Sequence, residues 1–244
     1  MSQWPEDFIV PDWPAPPAVR ACVTTRSGGE SLAPYDSFNL GDHVGDDPLA
    51  VSRNRERLQR VLGCKPAWMG QVHSNIAVEA NPQHRPTADG CWTATPGVAC
   101  AVLTADCLPV LFCDVHGTRV GAAHAGWRGL AAGMLEATIS AMDVPGRQLI
   151  AWLGPAIGPT AFEVGGEVRD AFVSHHAASE EAFSPSHNAG RYMADIYQLA
   201  RIRLADCGVT AVFGGGFCTV SDPRFFSYRR AALTGRFASL IWLD

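Results

Sequence analysis

Three short apolar runs near the middle of the chain constrain its fold more than any other feature. Residues 98–103, 110–113 and 120–123 are almost entirely apolar, and residues typical of turns separate them. Runs of this length indicate neighbouring strands that are buried on both faces. Helical patterns occur on either side of these runs. The sequence therefore predicts a mixed α/β (α+β) fold whose mixed β-sheet core is flanked by helices.

One helix is particularly well marked. Asp46 or Asp47 can cap its first turn, Pro48 suits the first helical position, and Gly63 suits the residue after its end. Residues 174–191 are the part of the chain predicted to be least ordered. We also predict helices over 129–142, 167–173 and 195–207, and strands over 21–25, 67–80, 149–153, 209–213 and 238–243.

The chain of 244 residues contains no internal repeat, low-complexity tract or clear linker. We therefore expect one catalytic domain over 1–244, which opens with an extended, Pro-rich N-terminal segment over 1–20. The loop over 38–47 is dense in glycine and aspartate. Such a loop either only turns the chain or contributes to a site.

Composition excludes several classes of protein. The net charge of −5 argues against nucleic-acid binding, which needs a basic surface. No apolar run reaches the roughly 20 residues of a membrane span, and the N-terminus lacks the pattern of a signal peptide. Eight cysteines without a C-x-x-C pair are too sparse for a disulfide scaffold, so we expect a cytoplasmic protein with free thiols.

Candidate metal ligands lie in and near the stretch 104–129. Cys107 and His124 stand at or near the ends of two of the apolar runs, and His73 lies 34 residues before Cys107. Taken one at a time, a His or Cys in an apolar segment is usually structural, so the argument depends on the set of three. Together, two imidazole nitrogens and one thiolate would leave the fourth position of a zinc tetrahedron open, as in catalytic zinc sites. We interpret the three residues as a candidate metal site.

Several long motifs resemble one known family. They are Q-V-H-S-N, T-A-D-C-L-P-V-L, A-A-H-A-G-W-R-G-L, W-L-G-P-A-I-G-P, F-E-V-G, F-F-S-Y-R-R and T-G-R-F-A-S-L-I-W-L, which occur in this order from residue 38 to the C-terminus. The chain resembles the YfiH-type family, also labelled multicopper polyphenol oxidase or laccase-domain proteins. The resemblance implies a fold of the CNF/YfiH kind and a zinc site formed by His73, Cys107 and His124.

The same resemblance implies an activity. It points to phosphorolysis of adenosine, inosine, guanosine and methylthioadenosine, with deamination of adenosine as a further reaction. The expected partners are thus a small purine nucleoside and phosphate, with no obligate protein partner. The family has also been linked to removal of misplaced L-serine from a UDP-muramoyl precursor. One departure is that Ala231 follows Y-R-R where the family often has an acidic residue, which affects the substrate side near Arg229.

Two further residues are candidates for the chemistry. Arg128 lies where the predicted helix 129–142 begins, and a helix N-terminus with a forked cationic donor favours phosphate. The alternative is that Arg128 covers Trp127 or pairs with a carboxylate. Asp106, next to Cys107, can support the site or carry a proton, or it can simply cap a turn.

Rival functions use the same three ligands. Two histidines and a cysteine also suit copper, but full reduction of dioxygen needs a trinuclear cluster, and none of the eight histidines forms an H-x-H pair. The H-x-E and P-C-x-x-C signature of zinc deaminases is also absent. A cysteine hydrolase, with Cys107 as nucleophile and His73 or His124 as base, remains open. A purely structural metal site is a third alternative.

Overall fold

The computed structural model describes residues 5–244, in which thirteen strands and five α-helices form. The strands, in chain order, are β1 (Val19–Val23), β2 (Lys65–Ala67), β3 (Ala77–Glu79), β4 (Gly90–Thr93), β5 (Val98–Thr104), β6 (Leu108–Asp114), β7 (Val120–Ala125), β8 (Leu149–Leu153), β9 (Glu163–Gly165), β10 (Phe183–Pro185), β11 (Arg191–Ala194), β12 (Ala211–Gly214) and β13 (Phe237–Leu243). The helices are α1 (Pro48–Leu62), α2 (Trp127–Ala131), α3 (Met134–Met142), α4 (Gly166–Val173) and α5 (Ile196–Asp206), with 3₁₀ turns at Gly146–Gln148 and Ala177–Ala182.

Two mixed sheets form the centre of the fold. The four-stranded sheet has the order β1-β13-β5-β2, and the six-stranded sheet has the order β12-β8-β6-β7-β4-β3. A third, small sheet has the order β10-β11-β9. Apolar side chains from the two larger sheets share one core, which includes Val102 and Ile241 from the first and Leu111, Ala122 and Ile150 from the second. The two larger sheets therefore pack face to face.

Helices cover the outer faces of both large sheets. Leu58 of α1 packs with Ala101 and Leu240 of the four-stranded sheet. On the other side, Phe112 of the six-stranded sheet belongs to a core with Leu135 of α3. The order of layers is helix, sheet, sheet, helix. The predicted mixed α/β fold is confirmed.

Helix α1 follows its sequence closely. The Asp47 side chain accepts a hydrogen bond of 3.0 Å from the backbone N–H of Leu49, and Pro48 is the first helical residue. Gly63 ends the helix in the left-handed conformation with φ 69°. The buried side of the helix holds Leu58 and Leu62. The predicted cap, proline and terminal glycine are all confirmed.

The helix predicted over 129–142 is wrong as a single element. Helix α2 ends at Ala131, and α3 begins at Met134, because Gly133 adopts φ 95° between them. A left-handed residue breaks the hydrogen-bond ladder of a right-handed helix. The first of the two pieces starts at Trp127 and has only five residues. Arg128 is therefore inside a short helical segment and not at the N-terminus of a long helix.

The segment 174–191, predicted to be the least ordered part of the chain, has regular secondary structure instead. It contains the 3₁₀ turn Ala177–Ala182 and strand β10, which pairs with β11 in an antiparallel hairpin. Phe183 packs against the core on the helical side of the six-stranded sheet. Burial of this aromatic ring and the backbone pairing order a segment whose composition is polar.

The N-terminal segment agrees with its prediction over residues 5–18, which contain no helix, and Ile9 forms a bridge with Val23. Residues 1–4 lie outside the described part of the chain. Among residues 5–244, no helix has the length and apolar character that crossing a membrane requires.

Candidate metal centre

The pairing of two strands brings Cys107 and His124 together. Strand β6 begins directly after Cys107, and β7 ends directly after His124. The two strands are antiparallel neighbours in which Pro109 lies opposite His124 and Leu108 lies opposite Ala125. The start of one strand and the end of the next therefore meet at one edge of the six-stranded sheet.

His73 reaches the same point from a loop and not from a strand. The strand predicted over 67–80 is wrong, because the chain leaves the four-stranded sheet after Ala67 and enters the six-stranded sheet only at Ala77. His73 itself has φ 63°, which no strand accommodates. A buried carboxylate explains this turn in the backbone.

That carboxylate belongs to Asp89, which is completely buried. It accepts hydrogen bonds from the backbone N–H groups of Val72, His73 and Ser74 at 3.2, 3.0 and 2.7 Å, and from the Ser74 hydroxyl at 2.7 Å. Its Oδ1 also lies 2.8 Å from Nδ1 of His124. One side chain thus fixes the loop of the first histidine and the ring of the second.

The potential ligand atoms of His73, Cys107 and His124 all lie within 4.8 Å of one another. The Cys107 sulfur is 3.6 Å from Nε2 of His73, and the two imidazole rings are 4.8 Å apart between centroids. Gly126 permits this approach, since a Cβ there would lie 2.8 Å from Cδ2 of His73 and 2.9 Å from the Cys107 sulfur. The three predicted ligands converge.

Charges reinforce one another inside this group. Burial by itself favours the neutral thiol, but the charge and hydrogen bonds of His124 and His73 outweigh it and lower the pKa of Cys107 to about 6. Burial favours neutral imidazole as well, yet the Cys107 thiolate and Asp89 raise the pKa of His124 to about 9. For Asp89, burial is outweighed by hydrogen bonds from His124 and Ser74, which hold its pKa well below the usual range.

These residues fit a metal ion. Zinc–sulfur and zinc–nitrogen bonds at a tetrahedral angle place the two donor atoms about 3.5 Å apart, close to the separation of Cys107 and His73. Because Asp89 occupies Nδ1 of His124, Nε2 remains for a metal, and such carboxylate–histidine contacts are typical of metal sites. Among residues 5–244, this is the one group of three or more His, Cys, Asp or Glu side chains arranged to hold an ion.

The group lies in a cleft of about 480 Å³. Most of the cleft wall comes from residues far apart in sequence. It is lined by His43, Gln71, His73, Leu103, Thr104, Ala105, Asp106, Cys107, His124, Trp127, Arg128, Ile157, Phe162, Ile196, Tyr228, Arg229 and Arg236. A volume of this size accommodates a drug-sized ligand, and the polar and aromatic groups in the wall can orient one.

Asp106 and Arg128 both line the cleft, but Asp106 is fixed by hydrogen bonds, whereas Arg128 is exposed. Asp106 has φ 94°, and its carboxylate accepts hydrogen bonds of 2.6 Å from the Thr219 hydroxyl and from the Arg229 backbone N–H. It therefore ties the turn before Cys107 to the loop that carries Arg229. The Arg128 guanidinium lies over the Trp127 ring at 4.4 Å and is exposed.

Sequence reasoning missed Asp89 and Gln71, two residues that position the candidate metal ligands. Asp89 belongs to an A-D-G run that looks like an ordinary turn, although a carboxylate directly before a buried strand was a usable sign. Gln71 lies two residues before His73, and its side chain both donates to and accepts from the backbone of Leu103 at 2.8 Å. Gln71 thus fixes the start of the His73 loop on the four-stranded sheet.

Fold and site together define a mixed α/β protein with a His–Cys–His group capable of binding a metal in an open cleft. Residues 20–244 match the family described as multi-copper polyphenol oxidoreductase laccase, and the chain belongs to this family. It is 67% identical to a purine nucleoside phosphorylase of Pseudomonas aeruginosa over 97% of this chain and 98% of the relative. It is 55% identical to the purine nucleoside phosphorylase YfiH of Escherichia coli, with the same coverage.

Solved structures agree with this assignment. The crystal structure of a Neisseria meningitidis protein of the DUF152 family has a TM-score of 0.95 and 52% identity, covering 98% of this chain and all of that one. The structure of YlmD from Geobacillus stearothermophilus has a TM-score of 0.84 and 30% identity over 93% of each chain. The resemblance that the motifs predicted is confirmed.

Proposed function

We propose that the chain is a zinc-dependent purine nucleoside phosphorylase that accepts adenosine, inosine, guanosine and methylthioadenosine. The observation that carries the proposal is the convergence of His73, Cys107 and His124 in a cleft large enough for a nucleoside. Relatives that match almost the whole chain are named purine nucleoside phosphorylases, which supports an enzyme of that kind at family level. The free cysteines are consistent with a cytoplasmic site of action.

Zinc is our choice of metal, with copper as the alternative. His73, Cys107 and His124 would hold the ion, and Asp89 would orient His124. When bound, a zinc ion with an open fourth position supplies a Lewis acid and lowers the pKa of water. Copper accepts the same donors, and a single three-ligand group could support weak polyphenol oxidation but no trinuclear cluster.

Phosphorolysis requires two things of the protein. A phosphate oxygen attacks C1′ of the ribose, the C1′–N9 bond breaks, and its electron pair leaves with the purine, which takes up a proton. The cleft must therefore hold an anion near the sugar and support the departing base. Positive side chains of the cleft (Arg128, Arg229 and Arg236) suit the first task, and the aromatic side chains Trp127, Phe162 and Tyr228 suit the second.

We assign Asp106 to positioning and not to proton transfer. Both of its carboxylate oxygens already accept hydrogen bonds, from Thr219 and from the Arg229 backbone. A carboxylate held in this way orients the Arg229 loop towards the cleft. Substitution of Asp106 by Asn should then lower turnover by displacing the Arg229 loop, with little change in the pH profile of turnover.

The test is product formation. Zinc-loaded protein given inosine and phosphate should release hypoxanthine and ribose 1-phosphate, and Cys107→Ala should abolish the reaction. Cys218→Ala is the matched control, because Cys218 is also a partly accessible cysteine but does not line the cleft. Absence of hypoxanthine above the level of metal-free protein would reject the proposal. Adenosine without phosphate, giving inosine and ammonia, tests the deaminase activity separately.

A peptidoglycan-editing amidase is a second candidate. The observation in its favour is the 3.6 Å separation between the Cys107 sulfur and Nε2 of His73, in a group where the two histidines also lower the pKa of Cys107. A thiolate beside a histidine is the arrangement of cysteine hydrolases. Incubation of the protein with UDP-muramoyl-L-serine should then release serine. Release that persists in metal-free protein and disappears in Cys107→Ala would favour the thiolate route over a metal route.

A further inference from the structure

In the described part of the chain, three arginines of the cleft have no carboxylate within ion-pair distance. No Asp or Glu oxygen within residues 5–244 lies within 4.0 Å of the guanidinium groups of Arg128, Arg229 and Arg236. Outside the cleft, some arginines of residues 5–244 pair with a carboxylate, as Arg169 does with Glu180, and others such as Arg60 do not. Among residues 5–244, the one Asp or Glu side chain in the cleft wall is that of Asp106, whose carboxylate accepts hydrogen bonds from the Thr219 hydroxyl and the Arg229 backbone N–H. The charges of Cys107 and Asp106 also act on Arg236. A chain of net charge −5 thus presents a positive cleft.

The three arginines differ in what their guanidinium groups can still bind. Arg128 lies exposed over the Trp127 ring. Arg229 donates from both terminal nitrogens to backbone oxygens of Ala161 and Glu163, at 3.1 and 3.2 Å. Arg236 donates from Nη1 alone, to the backbone oxygens of Thr234 and Gly235 at 3.0 and 2.9 Å. Its Nε and Nη2 have no acceptor in the described part of the chain.

The stem of Arg236 is fixed by the loop 38–47. Its backbone N–H donates to Oδ1 of Asn39 at 2.8 Å, and its carbonyl accepts from the Leu40 N–H at 3.0 Å. The side chain then crosses Gly41 so closely that a Cβ at that position would lie 2.8 Å from Cγ of Arg236. Glycine at 41 therefore makes room for the arginine, and Arg236 is held more firmly than an ordinary surface arginine.

The same loop keeps negative charge out of the cleft. Asp42 lies 2.6 Å from Arg85 and 3.4 Å from Arg55, and it does not line the cleft, whereas His43 beside it does. The sequence left open whether the loop only turns or builds a site. In the structure the loop fixes Arg236, whose free Nε and Nη2 donors have the forked geometry that matches an oxyanion.

We propose that Arg236 is the oxyanion-binding residue of the cleft and that it binds the inorganic phosphate used in phosphorolysis through Nε and Nη2. The inference rests on the proposed function for the identity of the anion. The sequence pattern favoured Arg128 as the phosphate-binding residue. The proposal assigns phosphate instead to Arg236, which lines the same cleft but lies near the C-terminus of the sequence. Gly41 and Asn39 act as positioning residues for this contact.

Steady-state kinetics of the zinc-loaded enzyme test the contact. Arg236→Met keeps the apolar stem and removes the fork, so it should raise the Michaelis constant for phosphate about tenfold or more. The Michaelis constant for inosine and the zinc content should stay unchanged. Arg236→Lys keeps the charge but loses the forked donor, so its Michaelis constant for phosphate should lie between those of the wild type and Arg236→Met. Gly41→Ala, which removes no charge, should raise the same constant by displacing the Arg236 stem.

Arg60→Met is the matched control, because Arg60 is an exposed arginine of α1 outside the cleft wall. It should leave the phosphate constant unchanged. An Arg236→Met enzyme whose Michaelis constant for phosphate equals that of the wild type would overturn the proposal. So would an equal effect of Arg60→Met, since that would reflect only a change in net charge.

Direct binding separates this inference from the proposed function. Calorimetric titration with phosphate alone should show binding to the wild-type protein and a loss of at least about tenfold in affinity for Arg236→Met. If phosphate binds in this way but inosine gives no hypoxanthine, the proposed function fails and the anion site stands. If inosine is cleaved but Arg236→Met binds phosphate as tightly as the wild type does, the proposed function stands and the anion site is rejected.

Discussion

Oδ1 of Asp89 lies 2.8 Å from Nδ1 of His124, and the carboxylate is completely buried at this contact. The same carboxylate holds the backbone of the loop that carries His73. Two of the three candidate ligands thus depend on one residue that does not itself belong to the ligand set.

Asp89→Asn should weaken metal binding by about 10–100-fold, because an amide neither orients the His124 ring as firmly nor increases its basicity. Competition with a chromogenic chelator measures the change. Asp114→Asn is the matched control, since Asp114 is also buried and caps a turn through the backbone N–H groups of Thr118 and Arg119, away from the cleft. Equal metal affinity in the wild type and Asp89→Asn would show that Asp89 serves only the fold.

Alkylation of Cys107 should report its lowered pKa. In metal-free protein the thiolate is present above the pKa of about 6 and is lost as the pH falls through that value. The rate of reaction with iodoacetamide at Cys107, followed by peptide mass spectrometry, should therefore reach half its maximum near pH 6. Zinc should protect the residue. A midpoint near the ordinary pKa of a thiol, or no protection by zinc, would contradict a Cys107 thiolate that the two histidines stabilise in one ligand group.

Local sequence patterns predicted those parts of the fold that local interactions decide. The capping aspartate, the proline and the terminal glycine of α1 all belong to one helix or its ends. Each of the strands β5, β6 and β7 is recognisable in the sequence as an apolar run. The strand predicted across His73 failed because the deciding partner, Asp89, lies 16 residues further on and acts through hydrogen bonds to backbone N–H groups. Hydrophobic periodicity contains no information on such a contact.

The site was predictable to a similar extent. Cys107 and His124 lie at the ends of runs that pair with one another, so their proximity follows from one hairpin. The position of Arg236 depends on the hydrogen bond from its backbone N–H to Asn39, which is 197 residues away in sequence. No local sequence pattern connects the two residues. The phosphate position predicted at Arg128 assumed a continuous helix, and the left-handed Gly133 removes that assumption.

Removing either histidine should abolish metal binding, but only one removal should destabilise the metal-free fold. His124→Ala leaves the buried Asp89 carboxylate without its imidazole partner, which should cost about 1–3 kcal/mol in the free energy of unfolding. His73 is exposed and has φ 63°, so His73→Gly removes a strained residue and should change that free energy by less than about 1 kcal/mol. Urea denaturation without metal measures both. Equal destabilisation by the two variants would contradict the role given to Asp89.

Gly126→Ala should disturb the ligand group without disturbing the backbone. Gly126 has φ −59° and ψ 157°, which alanine adopts freely, so backbone strain is not expected. The new Cβ would, however, lie 2.8 Å from Cδ2 of His73 and 2.9 Å from the Cys107 sulfur, and must push the two apart. Metal affinity and phosphorolysis should therefore fall together, while the unfolding temperature of the metal-free protein changes little.

The matched control for this variant is Gly166→Ala at the start of α4, where an added Cβ would lie within 4 Å of no atom of residues 5–244. That substitution should leave metal binding intact and stabilise the helix slightly. Retention of full metal affinity in Gly126→Ala would mean that His73 and Cys107 can separate without cost. In that case the ion would not need the close approach that places the Cys107 sulfur 3.6 Å from Nε2 of His73.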